Sequence, residues 1–298
     1  MKELIKSLIL KLPYFRSLLE QVKAQGAYPA GHYYSPIPSP EDILYNVEPS
    51  KNELTDLTDI NMNKEHQYEI LRDFKKFYGE MSFSEKQNQE WRFYFDQSWF
   101  SFADAIFLYC FLRQIQPKRI VEIGSGFSSA VILDTLERYL SEDTQVTFIE
   151  PFPDRLMSIL RDHDKNRIQI MKMKMQDVPI EIVTSLQSGD FLFVDSSHIV
   201  KCGSDVKNLI FDILPRLPSG VFVHFHDVFF PFEYPREWLD DGRFWNENYF
   251  LRAFLSSNSE WKVFFFNSYV ARAFGEYMRQ HFPLCLKNTG GSLYLRRK

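Results

Sequence analysis

The chain of 298 residues is short of several things, and each shortage removes a class of function. No apolar run is long enough to cross a bilayer as a helix. There is no basic tract, and the net charge is −4, so neither nucleic acid nor another polyanion is an expected partner. Cysteine is scarce. Cys110, Cys202 and Cys285 have no metal-binding spacing and form no even framework, which points to a reducing cytoplasmic setting. Internal repeats and low-complexity tracts are missing. No Gly-Lys-Ser/Thr follows the glycine-rich turn, so the chain has no P-loop.

What is present reads as an ordinary globular composition, with 45% hydrophobic and 25% charged residues in a chain long enough for one large domain or two small ones. Aromatic residues reach 16%, led by 29 Phe, and a bulky core accounts for them more readily than an aromatic-lined pocket. Lysines interrupt the apolar residues of the first segment, making it a poor signal peptide. The same pattern predicts an amphipathic helix over 1–25, with Leu4, Ile5, Leu8, Ile9 and Leu12 near one face and Pro13 as a break. Such a face is expected to pack on its own domain or on a second copy of the chain, giving a homo-oligomer, rather than on a membrane.

Four prolines and a glycine rule out regular structure between Tyr28 and Pro40. That segment reads as a rigid aromatic loop, either a strap over the core or, through His32, Tyr33 and Tyr34, part of a pocket wall. Apolar spacing predicts a helix over Lys64–Tyr78 and a buried helix over Ser101–Gln114. Residues 1–100 are therefore expected to form a mainly helical cap, not an independent domain, on a main domain at 101–298.

From Arg119 strands and helices alternate. Strands are predicted at 119–123, 145–150, 168–173, 190–195, 219–226, 261–266 and 292–296, and helices at 127–140, 153–163, 177–187, 203–215, 246–256 and 268–281. This pitch demands right-handed crossovers and a largely parallel sheet. Residues 228–246 interrupt it as an aromatic, proline-stiffened insertion that leaves directly from Asp227, in the place of a lid or acceptor wall.

The alternation begins at Arg119-Ile-Val-Glu-Ile-Gly-Ser-Gly-Phe127, a strand, a glycine turn and a helix start. Glycine permits the tight turn and lets a ligand lie against bare backbone, while the helix end offers free N–H groups. Ser129 stands where a dinucleotide fingerprint wants glycine or alanine. Glu122 would repel a pyrophosphate and attract a cation. In open α/β sheets ligands sit beyond the carboxyl ends of the strands, so what each strand ends on matters. The second ends on Glu150, whose carboxylate can accept both hydroxyls of a ribose; the third is followed by Gln176-Asp177, where Asp177 serves equally as a helix cap; the fourth ends on Asp195 with His198 just beyond; the fifth ends on His226-Asp227. Carboxylate oxygen and imidazole nitrogen together suit a divalent metal.

Val121-Glu-Ile-Gly-Ser-Gly126 resembles the first motif of class I S-adenosylmethionine-dependent methyltransferases. The resemblance implies a Rossmann-like α/β fold: a seven-stranded sheet, mostly parallel with an antiparallel last strand and helices on both faces. It implies that Glu122, Gly124, Ser125 and Gly126 hold the methionine end of the cofactor, Glu150 its ribose, Gln176 and Asp177 its adenine side, with Asp195 nearby. The later strand ends are similar to the metal-dependent O-methyltransferases of the catechol, macrolide-sugar and cephalosporin-hydroxylase-like type. That likeness makes Asp195, His226 and Asp227 the ligands of Mg2+ or another divalent metal, although His226 stands where the family has a carboxylate, and gives His198 the place of the general base. The implied activity is methyl transfer to a hydroxyl of a small molecule or sugar. Three other readings stay open: a non-haem iron oxygenase using Asp195, His226 and a further histidine; a non-catalytic cofactor-binding module; and a charge cluster that only fixes strand ends.

Overall fold

The computed structural model describes residues 12–15, 17, 26–45, 57–100 and 102–298. Most of the helix expected over 1–25 lies outside the described residues. The chain forms two compact units, one of Met1–Glu48 with Pro235–Phe244, the other of Pro49–Tyr234 with Trp245–Lys298.

In the first unit the rings of Tyr28 and His32 stack at 4.6 Å and those of His32 and Tyr33 at 4.3 Å. Tyr33 and Tyr34 stay exposed. The helix Pro40–Tyr45 starts at a reciprocal cap, with Asp42 N–H donating to Ser39 Oγ and Ser39 N–H to Asp42 Oδ2. The second half of the 228–246 insertion belongs to this unit, where Arg236 donates to Asp240 and to the carbonyl of Ile43.

The second unit is built on a seven-stranded sheet in the order β3-β2-β1-β4-β5-β7-β6. The strands are β1 Arg119–Ile123, β2 Gln145–Ile149, β3 Ile168–Met171, β4 Phe191–Val194, β5 Phe222–Phe225, β6 Trp261–Phe266 and β7 Leu293–Arg297. Strands β1 to β5 pair in parallel, and β7 alone runs against both its neighbours, β5 and β6. Every residue of β4 and β5 is buried, as their unbroken apolar runs require of central parallel strands. The chain turns outward in opposite directions from β1, to β2 on one side and β4 on the other, which opens a crevice at their carboxyl ends.

Helices surround the sheet. α1 (Lys64–Glu80) buries Gln67, Ile70, Leu71, Phe74 and Phe77 on one stripe. α2 (Ala103–Ile115) is buried without a break from Ala103 to Leu112, the mark of a helix covered on all sides, and it packs beside α1 and α3 (Phe127–Tyr139). Phe111 meets Phe191, Phe222, Phe264 and Tyr294, so much of the phenylalanine surplus is core. No helix among the described residues is long and apolar enough to cross a membrane.

Several elements differ from their periodicity. The helix expected over 203–215 lasts only from Asp205 to Asn208, then widens into a π turn at Leu209–Ile213 and tightens at Leu214–Arg216. Pro215 has no N–H to continue the ladder. The helix expected over 177–187 shrinks to Glu181–Thr184 after Pro179. That over 268–281 breaks at Phe274 into Asn267–Ala273 and Gly275–His281.

Candidate cofactor and metal site

The glycine turn is shaped by the closeness of β1 and β4. Gly124 has φ +81°, and a β-carbon there would collide with the Asp195 carbonyl. Gly126, at φ −178°, is extended backbone that any residue adopts; its N–H donates to Ser129 Oγ at 3.0 Å. The serine that departs from a dinucleotide fingerprint thus caps α3. Glu122 is fully buried. One of its oxygens accepts from Ser128 Oγ at 2.6 Å, and the other has no hydrogen-bond partner. Burial pushes the Glu122 carboxyl up to about 8, with the negative charges of Asp195 and Glu150 adding to the rise. An orphaned buried carboxylate oxygen is costly unless a donor or a cation meets it.

Glu150 sits at the end of β2, where its two oxygens accept the backbone N–H groups of Ser125 (3.0 Å) and Phe152 (2.8 Å). It is fixed in place with lone pairs to spare. A crevice of about 450 Å³ opens here, lined among others by Gly124, Glu150, Gln176, Asp195 and Lys201. Gln176 donates to the Gly203 carbonyl at 2.9 Å. Asp177 does not line this crevice and caps no helix, since Lys174 and Ile180 hold the cap positions on either side.

Beyond β4 and β5 the charged groups interleave. His198 Nε2 lies 3.4 Å from Asp195 Oδ1 and 3.5 Å from Asp227 Oδ2. His226 Nδ1 lies 3.5 Å from Asp195 Oδ1 and 3.5 Å from Asp227 Oδ1. One atom each from Asp195, His198 and Asp227 falls within 4.8 Å of the others, a donor set able to hold a metal ion. Burial disfavours charge on both imidazoles, but the carboxylates outweigh it. His198 is pushed up to about 10, with Asp195 and Glu247 as partners, and His226 well above its ordinary value, with Asp227 and Asp195 as partners. Burial raises Asp227 overall, whereas at Asp195 the two imidazoles overcome burial and hold the carboxyl well below the usual range. His198 and Asp227 both adopt φ +57°, a conformation that costs free energy outside glycine and often marks functional backbone.

Two members of this cluster carry no clear sign in the sequence. Asp104, in α2, lies 3.6 Å from His226 Nε2 and accepts from Asn267, Gly291 and Ser292. An acid in an otherwise apolar helix was its one local signal. Glu247 accepts from, or donates to, His198 Nδ1 at 2.9 Å, and only its place in a helix first turn is visible locally. His224 belongs to the core: it stacks on Phe193 at 4.1 Å, neither ring nitrogen has a hydrogen-bond partner, and burial drives it toward the neutral form. Asp205 accepts from the Ser197 N–H at 3.1 Å, bracing the turn after β4. Glu233 accepts from Tyr249 at 3.0 Å. A second acidic group, Glu137, His163 and Asp164, is already compensated by Arg92 and Arg161.

Comparison with known proteins agrees with this architecture. A family model described as "Methyltransferase domain" matches residues 121–228, from β1 to just past β5. An uncharacterised protein of Archaeoglobus fulgidus is 32% identical over 157 residues, which cover 51% of this chain and 69% of the relative. Among solved structures, the O-methyltransferase TomG of Streptomyces achromogenes, in complex with SAM, is similar at 15% identity and TM-score 0.43, covering 78% of this chain and 90% of its own. The SAH-bound methyltransferase PaMTH1 of Podospora anserina is similar at 15% identity and TM-score 0.40, covering 82% and 100%. With its glycine turn after β1, its single reversed strand β7 and the family match over 121–228, the chain carries a methyltransferase domain with a Rossmann-like, seven-stranded sheet.

Proposed function

We propose that the protein methylates a hydroxyl of a small molecule, a sugar or a small phenol, with a divalent cation held between β4 and β5. The observation that carries this reading is the convergence of Asp195 and Asp227 with two imidazoles at adjoining strand ends, His226 Nδ1 lying 3.5 Å from each aspartate and His198 grouped with the same pair. On the cofactor side, the unpartnered Glu122 oxygen beside a turn of bare backbone suits a cationic ligand. In this reading Glu122 offsets the positive charge of the methionine end, and Gly124, Ser125 and Gly126 let it lie against the chain. Glu150 takes the ribose hydroxyls, Gln176 borders the adenine, and Asp195 stands between cofactor and cation.

When bound, S-adenosylmethionine supplies an electrophilic methyl carbon, and Mg2+ or a similar ion lowers the pKa of an acceptor hydroxyl. Asp195, Asp227 and His226 would hold the ion. Asp195 and Glu247 hold the His198 imidazole above its ordinary value against burial, so a cation that took up the charge of Asp195 would favour the neutral form able to accept a proton. The rest is positioning. All three cysteines are free, in keeping with a reducing cytoplasm.

Titration calorimetry with S-adenosylmethionine, S-adenosylhomocysteine and NAD, each with and without Mg2+, tests the reading. Both sulfur compounds should bind and NAD should not. Labelled-methyl transfer to a panel of sugars and phenols should require the divalent ion. Binding of neither sulfur compound would remove the proposal, and turnover that needs Fe2+ and a 2-oxoacid would replace it with the oxygenase.

A further inference from the structure

We infer that Glu247 is the positioning residue for His198, within a clamp formed by Trp245, Asn246 and Glu247. Six contacts from these three consecutive residues fall on the segment leaving β4. Glu247 reaches His198 Nδ1 at 2.9 Å. The Trp245 ring lies over the imidazole at 4.4 Å between centroids. The backbone N–H groups of Asn246 and Glu247 both donate to the His198 carbonyl at 3.2 Å. The Asn246 side chain pairs with both backbone groups of Val200, accepting from its N–H at 2.7 Å and donating to its carbonyl at 3.3 Å.

This grip explains how His198, at φ +57° and 5% exposed, is held with one nitrogen toward Glu247 and the other toward Asp195 and Asp227. With Glu247 as the acceptor, Nδ1 carries the hydrogen and Nε2 is the nitrogen presented to the strand ends. Asn246 and the backbone fix the loop; the tilted indole and Glu247 fix the ring. The effect on turnover rests on His198 being the base of the reaction proposed above, whereas the effect on the ring does not.

The test uses the full chain with 15N-labelled histidine, the His198 signals being those lost in His198→Gln. In the wild type the Nδ1 proton should appear at low field, as expected of a hydrogen bond to a buried carboxylate. Glu247→Gln should move it upfield, and Glu247→Ala should broaden it into exchange with solvent. If Glu247→Ala does not fold, Glu247→Gln alone decides. In Glu247→Gln kcat should fall roughly ten- to a hundredfold, with the KM for S-adenosylmethionine unchanged within about twofold. Unchanged His198 signals in Glu247→Gln overturn the inference. Changed signals with unchanged turnover uphold the positioning role and remove His198 as the base.

Discussion

The backbone carbonyl of Asp195 occupies the space that a β-carbon on Gly124 would need. The turn after β1 and the end of β4 are thus in direct contact, and Asp195 N–H donates to the Ile123 carbonyl at 2.9 Å in the same place. Gly124→Ala must push these two strand ends apart and also place a side chain at φ +81°. We expect a loss of about 2 kcal/mol or more in stability, read by urea unfolding, together with weaker S-adenosylmethionine binding in calorimetry. Gly126→Ala, at an extended φ with nothing nearer than Arg155 Nη1 at 3.6 Å, should be far milder.

Glu122 should make cofactor binding pH-dependent. Its carboxyl lies near 8 in the folded chain against an ordinary value of 4.5, so the folded state holds an extra proton between these limits. Stability from this group therefore falls as pH rises from 4.5 towards 8 and levels off above. Glu122→Gln should flatten that slope. A cationic cofactor favours the ionised form, so binding at pH 7 should release a proton, seen as a calorimetric enthalpy that varies with the ionisation heat of the buffer. Affinity should rise with pH up to about 8, and Glu122→Gln should lose both effects.

The His198 cluster predicts how a divalent ion competes with protons. Its imidazole lies near 10 when folded against 6.5 ordinarily, so its ion pairs stabilise fully below pH 6.5 and are lost as pH rises to 10. A cation bound by Asp195 and Asp227 must displace that proton. The rise in melting temperature on adding Mg2+ should therefore grow with pH across this window. Asp195→Asn and Asp227→Asn should each abolish it, and an Mg2+ shift independent of pH would argue against ligation at these aspartates.

Away from the site, Arg92 is the cation on which a buried acidic group depends. It lies 2.9 Å from Asp134, 2.8 Å from Asp164 and 2.6 Å from Glu137, and the first two acids are almost wholly buried. Arg92→Met leaves them uncompensated, at a cost of about 3 kcal/mol, measurable by urea unfolding. The backbone N–H groups of Arg92 and Phe93 would still hold Asp134. Methyl transfer per folded molecule should be unaffected.

The order of strands and the acids at their ends could be read along the chain because both are local. A buried parallel strand is a short apolar run, and the residue that ends it is the next one in sequence. Glu122, Gly124, Glu150, Asp195, His226 and Asp227 were found in that way. Tertiary structure alone decided which of them lack partners and which share them. Glu150 is braced by two backbone amides, whereas one oxygen of Glu122 is left bare. It also brought Asp104 from α2 and Glu247 from α4 (Glu247–Leu255) to the two histidines, and grouped 235–244 with the N-terminal segment. These are contacts between residues far apart in the chain, set by packing rather than by periodicity, so no local pattern records them.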